Sequence, residues 1–446
     1  MSEPVSDRPH EPIIEVEQVS KHFPAESGFI ASIRGTDDVE AVDDVTFDIR
    51  QGETLALVGE SGCGKSTLAR TILQLHRPTS GSVRFNGQDL TELSSSEIRP
   101  LRQDMQMVFQ DPHSSLDPRF KVGQIIEEPL RAHDLYDAEE RKRRAQYLLE
   151  KVGLEASHYH RYPHEFSGGQ RQRVNLARAF STDPDVIMCD EPTSALDVSV
   201  QAQVLNTMDE LQAEFDVTYL FISHDMSVVR YIADRVAVMY LGHIVELAET
   251  EELFENPQHP YTRGLLDSIP IPDPRESEVR ATLEGDVPSP IDPPSGCRFR
   301  TRCPKLIQPE TFGPEDREAD AEADVPINRL SAYEMDEPTW RNVVRFTRAV
   351  ARRSFTLEEA GSEERAAQQL IDDRFFAAGR PDGEAGEVVD DAVRHLVADE
   401  WAEAARLLRR TFVEPSICAR NRPSYVVETE YGDDEHYAAC HLHREE

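Results

Sequence analysis

The apolar run TLALVG at 54–59 passes directly into GESGCGKST at 59–67, with Gly59 and Gly64 framing Glu60, Ser61, Gly62 and Cys63 ahead of Lys65, Ser66 and Thr67. A glycine-rich turn between a buried strand and a helix is the phosphate-loop pattern, and it commits the surrounding chain to a strand–loop–helix unit. Glycines let the backbone turn so that successive amides point inward at phosphate oxygens, and the helix start behind them adds a favourable partial positive charge. Lys65 then reaches the β- and γ-phosphates, and the Ser66 hydroxyl ligates magnesium. Cys63 reads as filler in this loop, not as a reactive thiol.

The chain around the loop alternates short β-branched apolar runs with helical stretches from about 13 to 265. The runs are IIEVEQV at 13–19, TLALVG at 54–59, MQMVF at 105–109, DVIMCD at 185–190, VTYLFIS at 217–223 and RVAVMYL at 235–241. Such alternation predicts an α/β domain on a largely parallel sheet. The segment EERKRRAQYLLEKVGL is amphipathic at helical spacing with no strand signal near it, which predicts a helical subdomain inserted at about 111–175.

Seven prolines fall between 270 and 294, so the nucleotide domain is expected to span 13–268 and a stiff linker 269–296. A further unit is expected at 297–446. Within it, 314–325 is acidic and reads as loop, while 338–355, 363–378 and 386–412 carry helix-period apolar positions such as Val389, Val393, Leu396, Trp401, Leu408 and Phe412.

Among 446 residues, 84 are acidic and 48 basic, only six of the latter being lysine, for a formal charge of −36. That surface repels nucleic acid and acidic lipid. Acid-rich, lysine-poor composition resembles that of proteins from salt-loaded cytoplasm, where screening at molar ionic strength shortens the Debye length to roughly 3 Å. No uncharged apolar run of about 18 residues occurs, and the opening MSEPVSDRPHEP lacks the regions of a signal peptide, so a cytoplasmic location is expected.

Apolar VIMC followed by Asp190 and Glu191 sets two carboxylates at the C-terminal end of a buried strand, where α/β sheets hold ligands. With a phosphate loop 125 residues earlier, Asp190 is expected to hold the magnesium shell and Glu191 to polarise a water for in-line attack on the γ-phosphate.

The segment FSGGQRQRV, with Ser167, Gly168, Gly169 and Gln170, precedes the acid pair by about 20 residues and resembles the signature motif of ABC ATPases. FQD with Gln110, SALD ending at Asp197 and ISHD with His224 follow the order of the same family's motifs. The resemblance implies a head-to-tail pair of cassettes, each ATP lying between one phosphate loop and the partner's signature motif. It implies that Gln110 senses the γ-phosphate, contributes to the magnesium site and links to a membrane partner. It further implies that His224 orients the attacking water, that Asp197 couples the two sites and that Phe23 stacks on adenine; an aromatic ahead of a strand is equally a core residue.

FQDPHSSLDPR at 109–119 and NPQHPYTRGLLDSIP at 256–270 are similar to the oligopeptide/dipeptide importer ATPases, a group that also serves nickel and some sugar oligomers. That likeness implies an ATP-hydrolysing subunit at the cytoplasmic face of the membrane. Its implied partners are a second, related ATPase in a heterodimer, two permease subunits and an extracellular substrate-binding protein, with no nucleic acid.

Cys297, Cys303, Cys418 and Cys440 flank turn residues, and four thiolates suit an iron–sulfur cluster, with zinc as the alternative, against free thiols of a small core. The family has a similar cysteine-bearing tail. Here 114 residues separate the second and third cysteine, where the family usually has a handful, so a helical insertion is expected at about 305–415. Loop closure cost grows only logarithmically with length, so the ends of a folded insertion can still meet.

Two other classes of function conflict with the sequence. A soluble ABC ATPase acting on DNA or ribosomes conflicts with the single cassette, the acidic surface and the 101 residues between Lys65 and Ser167, too few for a long coiled coil. A redox-regulatory protein working through the cysteine tail conflicts with an intact Glu191 and His224.

Overall fold

The computed structural model describes residues 12–24, 38–111, 115–269, 283, 287–303, 383–427, 429 and 435–443. Two compact units make up the chain: a cassette unit of 1–256 with 290–292 and 428–436, and a second unit of 257–289, 293–427 and 437–446.

The cassette unit contains two sheets. The first is antiparallel in the order β2-β1-β4-β5, from β1 (Pro12–Phe23), β2 (Val39–Arg50), β4 (Ser80–Phe85) and β5 (Gln88–Asp89). The second runs β10-β9-β3-β8-β7-β6. Its strands are β3 (Thr54–Val58), β6 (Met105–Val108), β7 (Val186–Asp190), β8 (Thr218–Ser223), β9 (Arg235–Tyr240) and β10 (His243–Glu249). β3 pairs in parallel with β8 and β9, β7 in parallel with β6 and β8, and β10 pairs antiparallel with β9. Every residue of β3, β7, β8 and β9 is buried, as expected of parallel strands covered on both faces. The run at 13–19 is a strand as expected, and it lies outside the largely parallel sheet. It lies in the antiparallel sheet because Glu17 and Gln18 break its apolar face and need solvent.

No strand interrupts the described residues between β6 and β7. After α1 (Lys65–Ile72) and α2 (Ser95–Leu101), that stretch is helical, through α3 (Val122–Ile126), α4 (Glu128–Ala132), α5 (Ala138–Lys151) and α6 (Gly168–Ala179). Asp137 starts α5 by accepting the amides of Glu139 and Glu140, each at 2.9 Å, while Glu140 reaches back to the Asp137 amide. Its buried face, Ala145, Leu148 and Leu149, packs with Val122, Ile126 and Val174 into one core. Each fully buried leucine contributes about 1.5–3 kcal/mol relative to exposure.

In the second unit, Gly383–Val397 and Trp401–Leu408 are helices, and Val389, Val393, Leu396, Leu408 and Phe412 are buried together with Trp401 packed against them. The helical readings at 338–355 and 363–378 and the acidic loop at 314–325 lie outside the described residues. Among the described residues no helix is long and apolar enough to cross a membrane.

Candidate active site

The phosphate loop is held open by its own backbone. Gly59 (φ 149°) and Gly64 (φ 109°) come so close to the Met239 and Ala41 carbonyls that a Cβ at either would lie 2.1 Å from the oxygen. Only glycine fits both positions. Lys65 opens helix α1 (Lys65–Ile72), and its ammonium donates back to the carbonyls of Gly59 (2.7 Å) and Glu60 (2.9 Å). The Gly242 amide donates to Cys63 O at 2.9 Å and ties the loop to the turn before β10. Burial pushes the Cys63 thiol up from its ordinary value, against the pull of Lys65.

Three neighbouring strand ends deliver the polar groups beside this loop. Gln110 follows β6, Asp190 ends β7 with Glu191 next, and His224 follows β8, all at the C-terminal edge of the parallel sheet. Glu191 turns out of β7 in a left-handed conformation (φ 46°), its amide donating to Ile222 O at 3.1 Å. Its carboxylate accepts from Gln110 Nε2 at 2.8 Å and lies 3.2 Å from His224 Nδ1. Ser61 to Thr67, Gln110 and Glu191 line one cavity.

Asp190 is fully buried. The Ser66 hydroxyl donates to its Oδ1 at 2.7 Å, whereas Oδ2 has no hydrogen-bond partner and sits 3.6 Å from Arg70 Nη2. Burial pushes this carboxyl above its ordinary range, opposed by the Ser66 hydrogen bond and by Arg70. An unsatisfied carboxylate oxygen beside a hydroxyl at the end of a phosphate loop is an oxygen donor set that fits a magnesium ion. The structure pairs Gln110 with Glu191.

The remaining sequence candidates lie apart from this cavity. Ser167 caps α6 by accepting the Gln170 amide (3.3 Å), and Gln170 returns the bond to the Ser167 amide (3.0 Å). Gly169 abuts Val200, where a Cβ would lie 2.2 Å from Cγ1, and Asp197 caps helix α7 (Val198–Phe215) through the Val200 amide at 3.0 Å. A hydrogen bond from the Ser199 hydroxyl holds the Asp197 carboxyl below its ordinary value. Phe23 packs edge-on against His76 at 5.5 Å with the Lys21 ammonium 4.9 Å from its ring centre. Sequence reasoning missed Val39, Glu40, Ala41, Leu241, Gly242 and Pro290, which line the same cavity as the loop. Of these only the Leu241–Gly242 turn, with both residues at positive φ, had a local signal.

The structure gives no support to the expected thiolate site. Cys297, Cys303, Cys418 and Cys440 form no disulfide, and among the described residues no group of three or more His, Cys, Asp or Glu side chains could hold a metal ion. A tetrahedral site needs deprotonated sulfurs around one centre at about 2.3 Å, as for zinc. Burial instead pushes the Cys297 thiol up. Among the described residues the four thus form no group that supports an iron–sulfur cluster or zinc. Nearby, His441 hydrogen-bonds Tyr425 and the Asn421 carbonyl, each at 2.9 Å, and His443 the Gln258 carbonyl at 3.1 Å.

Residues 42–194 match the ABC transporter family, 245–308 the C-terminal region of oligopeptide/dipeptide transporters, and 337–431 a domain of unknown function, DUF8228. That last domain covers much of the insertion for which the sequence offered no resemblance. The chain is 53% identical over 314 residues to the oligopeptide transport ATP-binding protein AppF of Bacillus subtilis, covering 69% of this chain and 94% of AppF. It is 49% identical to the dipeptide transport ATP-binding protein DppF of Escherichia coli, covering 68% of this chain and 89% of DppF. These matches, with the phosphate loop and carboxylates at the strand ends, place the chain among the ATP-binding and ATP-hydrolysing subunits of ABC transporters, in their oligopeptide/dipeptide branch.

Proposed function

We propose that this subunit drives import of di- or oligopeptides from the cytoplasmic face of the membrane. It would work as a peripheral partner of two permease subunits fed by an extracellular binding protein. Relatives named for oligopeptide and dipeptide transport support the substrate class, and they favour transport over a soluble or redox role. In this reading the nucleotide domain spans 13–268, the linker 269–296 and the tail 297–446. The cassette pairs head to tail with a related ATPase, and Ser167, Gly168, Gly169 and Gln170 face the partner's nucleotide while Asp197 couples the two sites. The helix start at Ser167 supports this role because it offers amides to an anion.

Within the cassette, amides from Gly59 to Thr67 and the Lys65 ammonium hold the phosphates of ATP. Ser66 and Asp190 ligate magnesium with Gln110 beside them, and Phe23 meets the adenine. Magnesium neutralises charge on the phosphates when bound. Glu191 takes the proton of the attacking water, and His224 and Gln110 hold its carboxylate in place.

The observation that carries this reading is the Glu191 carboxylate held between Gln110 and His224 at the rim of the phosphate cavity. The test is magnesium-dependent phosphate release by the wild type and Glu191→Gln, reconstituted with permeases where the isolated chain is inactive. Glu191→Gln is expected to keep ATP binding and lose at least about 100-fold in turnover, the scale of general-base catalysis. Turnover that survives the change removes Glu191 from the mechanism.

A further inference from the structure

After leaving the cassette unit at 256, the chain rejoins it at 290–292, well ahead of its return at 428–436. Pro290 makes that contact specific. Its carbonyl accepts the Glu40 amide at 2.9 Å, and Pro290 lines the same cavity as the phosphate loop. β2 is the edge strand of its sheet, paired with β1 through His22–Glu40, and the Glu40 amide bonds the Pro290 carbonyl.

The chemistry of the cavity wall divides in two. Loop amides, Glu40, Lys65, Gln110 and Glu191 make the polar part; Val39, Ala41, Leu241 and Pro290 add apolar surface, and among the described residues Lys65 is the one cation lining the cavity. A second anionic group would want a cation, whereas a ribose or a flat base fits an apolar wall.

We infer that Pro290 is a nucleoside-contacting residue. Residues 290–292 act as a strap that packs on the sugar or base of the bound nucleotide, fastened to β2 through Glu40. The strap belongs to the stretch matched by the oligopeptide/dipeptide C-terminal region, so a branch-specific segment supplies part of the ATP site. Nucleotide binding then tightens the strap, and the strap slows nucleotide departure. The inference rests on the ATP reading above.

The test uses the full-length chain and two probes, ATP and inorganic tripolyphosphate, which carries the phosphates without the nucleoside. Pro290→Gly is expected to weaken ATP by about fivefold, the worth of one small apolar contact, and to leave tripolyphosphate within about twofold. Unchanged ATP affinity, or a parallel loss for both probes, overturns the strap. Hydrogen exchange at the Glu40 amide of the wild type provides a check that needs no variant. ATP is expected to slow it more than tripolyphosphate does, and equal slowing overturns the proposal. A wild type that binds tripolyphosphate but gains nothing from the nucleoside removes the strap alone. One that binds neither probe removes the ATP reading, and the strap with it.

Discussion

The Asp190 carboxyl accepts one hydrogen bond, from Ser66, and leaves its second oxygen without a donor in a fully buried position. Burial raises its pKa above the ordinary 3.8. The stability it contributes is therefore fully present below the unfolded value and lost as pH rises through the folded one, so at neutral pH the ionised group is a burden on the metal-free protein. Asp190→Asn keeps the acceptor for Ser66 and removes the charge. It should raise the heat-unfolding midpoint of the nucleotide-free chain at pH 7.5 by a few degrees, corresponding to about 1 kcal/mol, while magnesium-dependent hydrolysis disappears. A midpoint that falls means the buried charge is compensated. Asp190 and Glu191 were legible in the sequence because they end the apolar run VIMC in a chain with a phosphate loop, whereas Gln110 and His224 were legible only through the resemblance of FQD and ISHD to family motifs; the structure puts all four at or just beyond strand ends. Pro290 was not legible, because its role depends on a fold-back across 250 residues to Glu40 and nothing local to it encodes that meeting.

His436 joins elements remote in sequence. Its imidazole is fully buried between Glu246 of β10 (2.8 Å) and Glu252 of helix α9 (Thr250–Glu255; 2.9 Å), with Asn256 donating to Glu252 at 2.9 Å. Burial pulls the imidazolium down, and the hydrogen bonds and charges of the two glutamates outweigh it, so its pKa stands above the ordinary 6.5. This clamp is fully effective below the unfolded value and is lost as pH rises through the folded one. His436→Gln should cost about 3 kcal/mol near pH 6, and the gap to wild type, followed by heat unfolding, should narrow as pH is raised above neutral. A gap independent of pH means that the clamp works by packing. The sequence reading passed over His436, since its partners lie 190 and 184 residues away. At the same scale, the buried parallel strands were plain from their continuous apolar runs. β1 was read as a strand, but its place in a separate antiparallel sheet was not legible, because register shifts between Val16 and Lys21 and the positive φ of Gln18 break its alternation.

The whole molecule carries a formal charge of −36, and its self-repulsion is the long-range term most open to salt. Screening contracts from about 10 Å at 0.1 M to about 3 Å at 1 M. The unfolding midpoint should rise by about 5 °C or more between 0.1 and 2 M potassium chloride, since a change of about 1 kcal/mol moves a large chain by a few degrees. A flat response would detach the acidic composition from salt adaptation. In the second unit, two stretches far apart in sequence, at 295–297 and 418–419, run side by side. The Cys297 amide donates to Cys418 O at 2.8 Å, and Ser295 donates to Ala419 O at 2.9 Å. Gly296 (φ 68°) passes so near Cys418 O that a Cβ there would lie 2.4 Å away. A segment whose two ends already touch behaves as a detachable module: evolution can lengthen, shorten or replace it while the frame on either side keeps its register. The ancestry of the stretch between Cys303 and Cys418, most of which matches a different family, can therefore differ from that of the segment matched at 245–308.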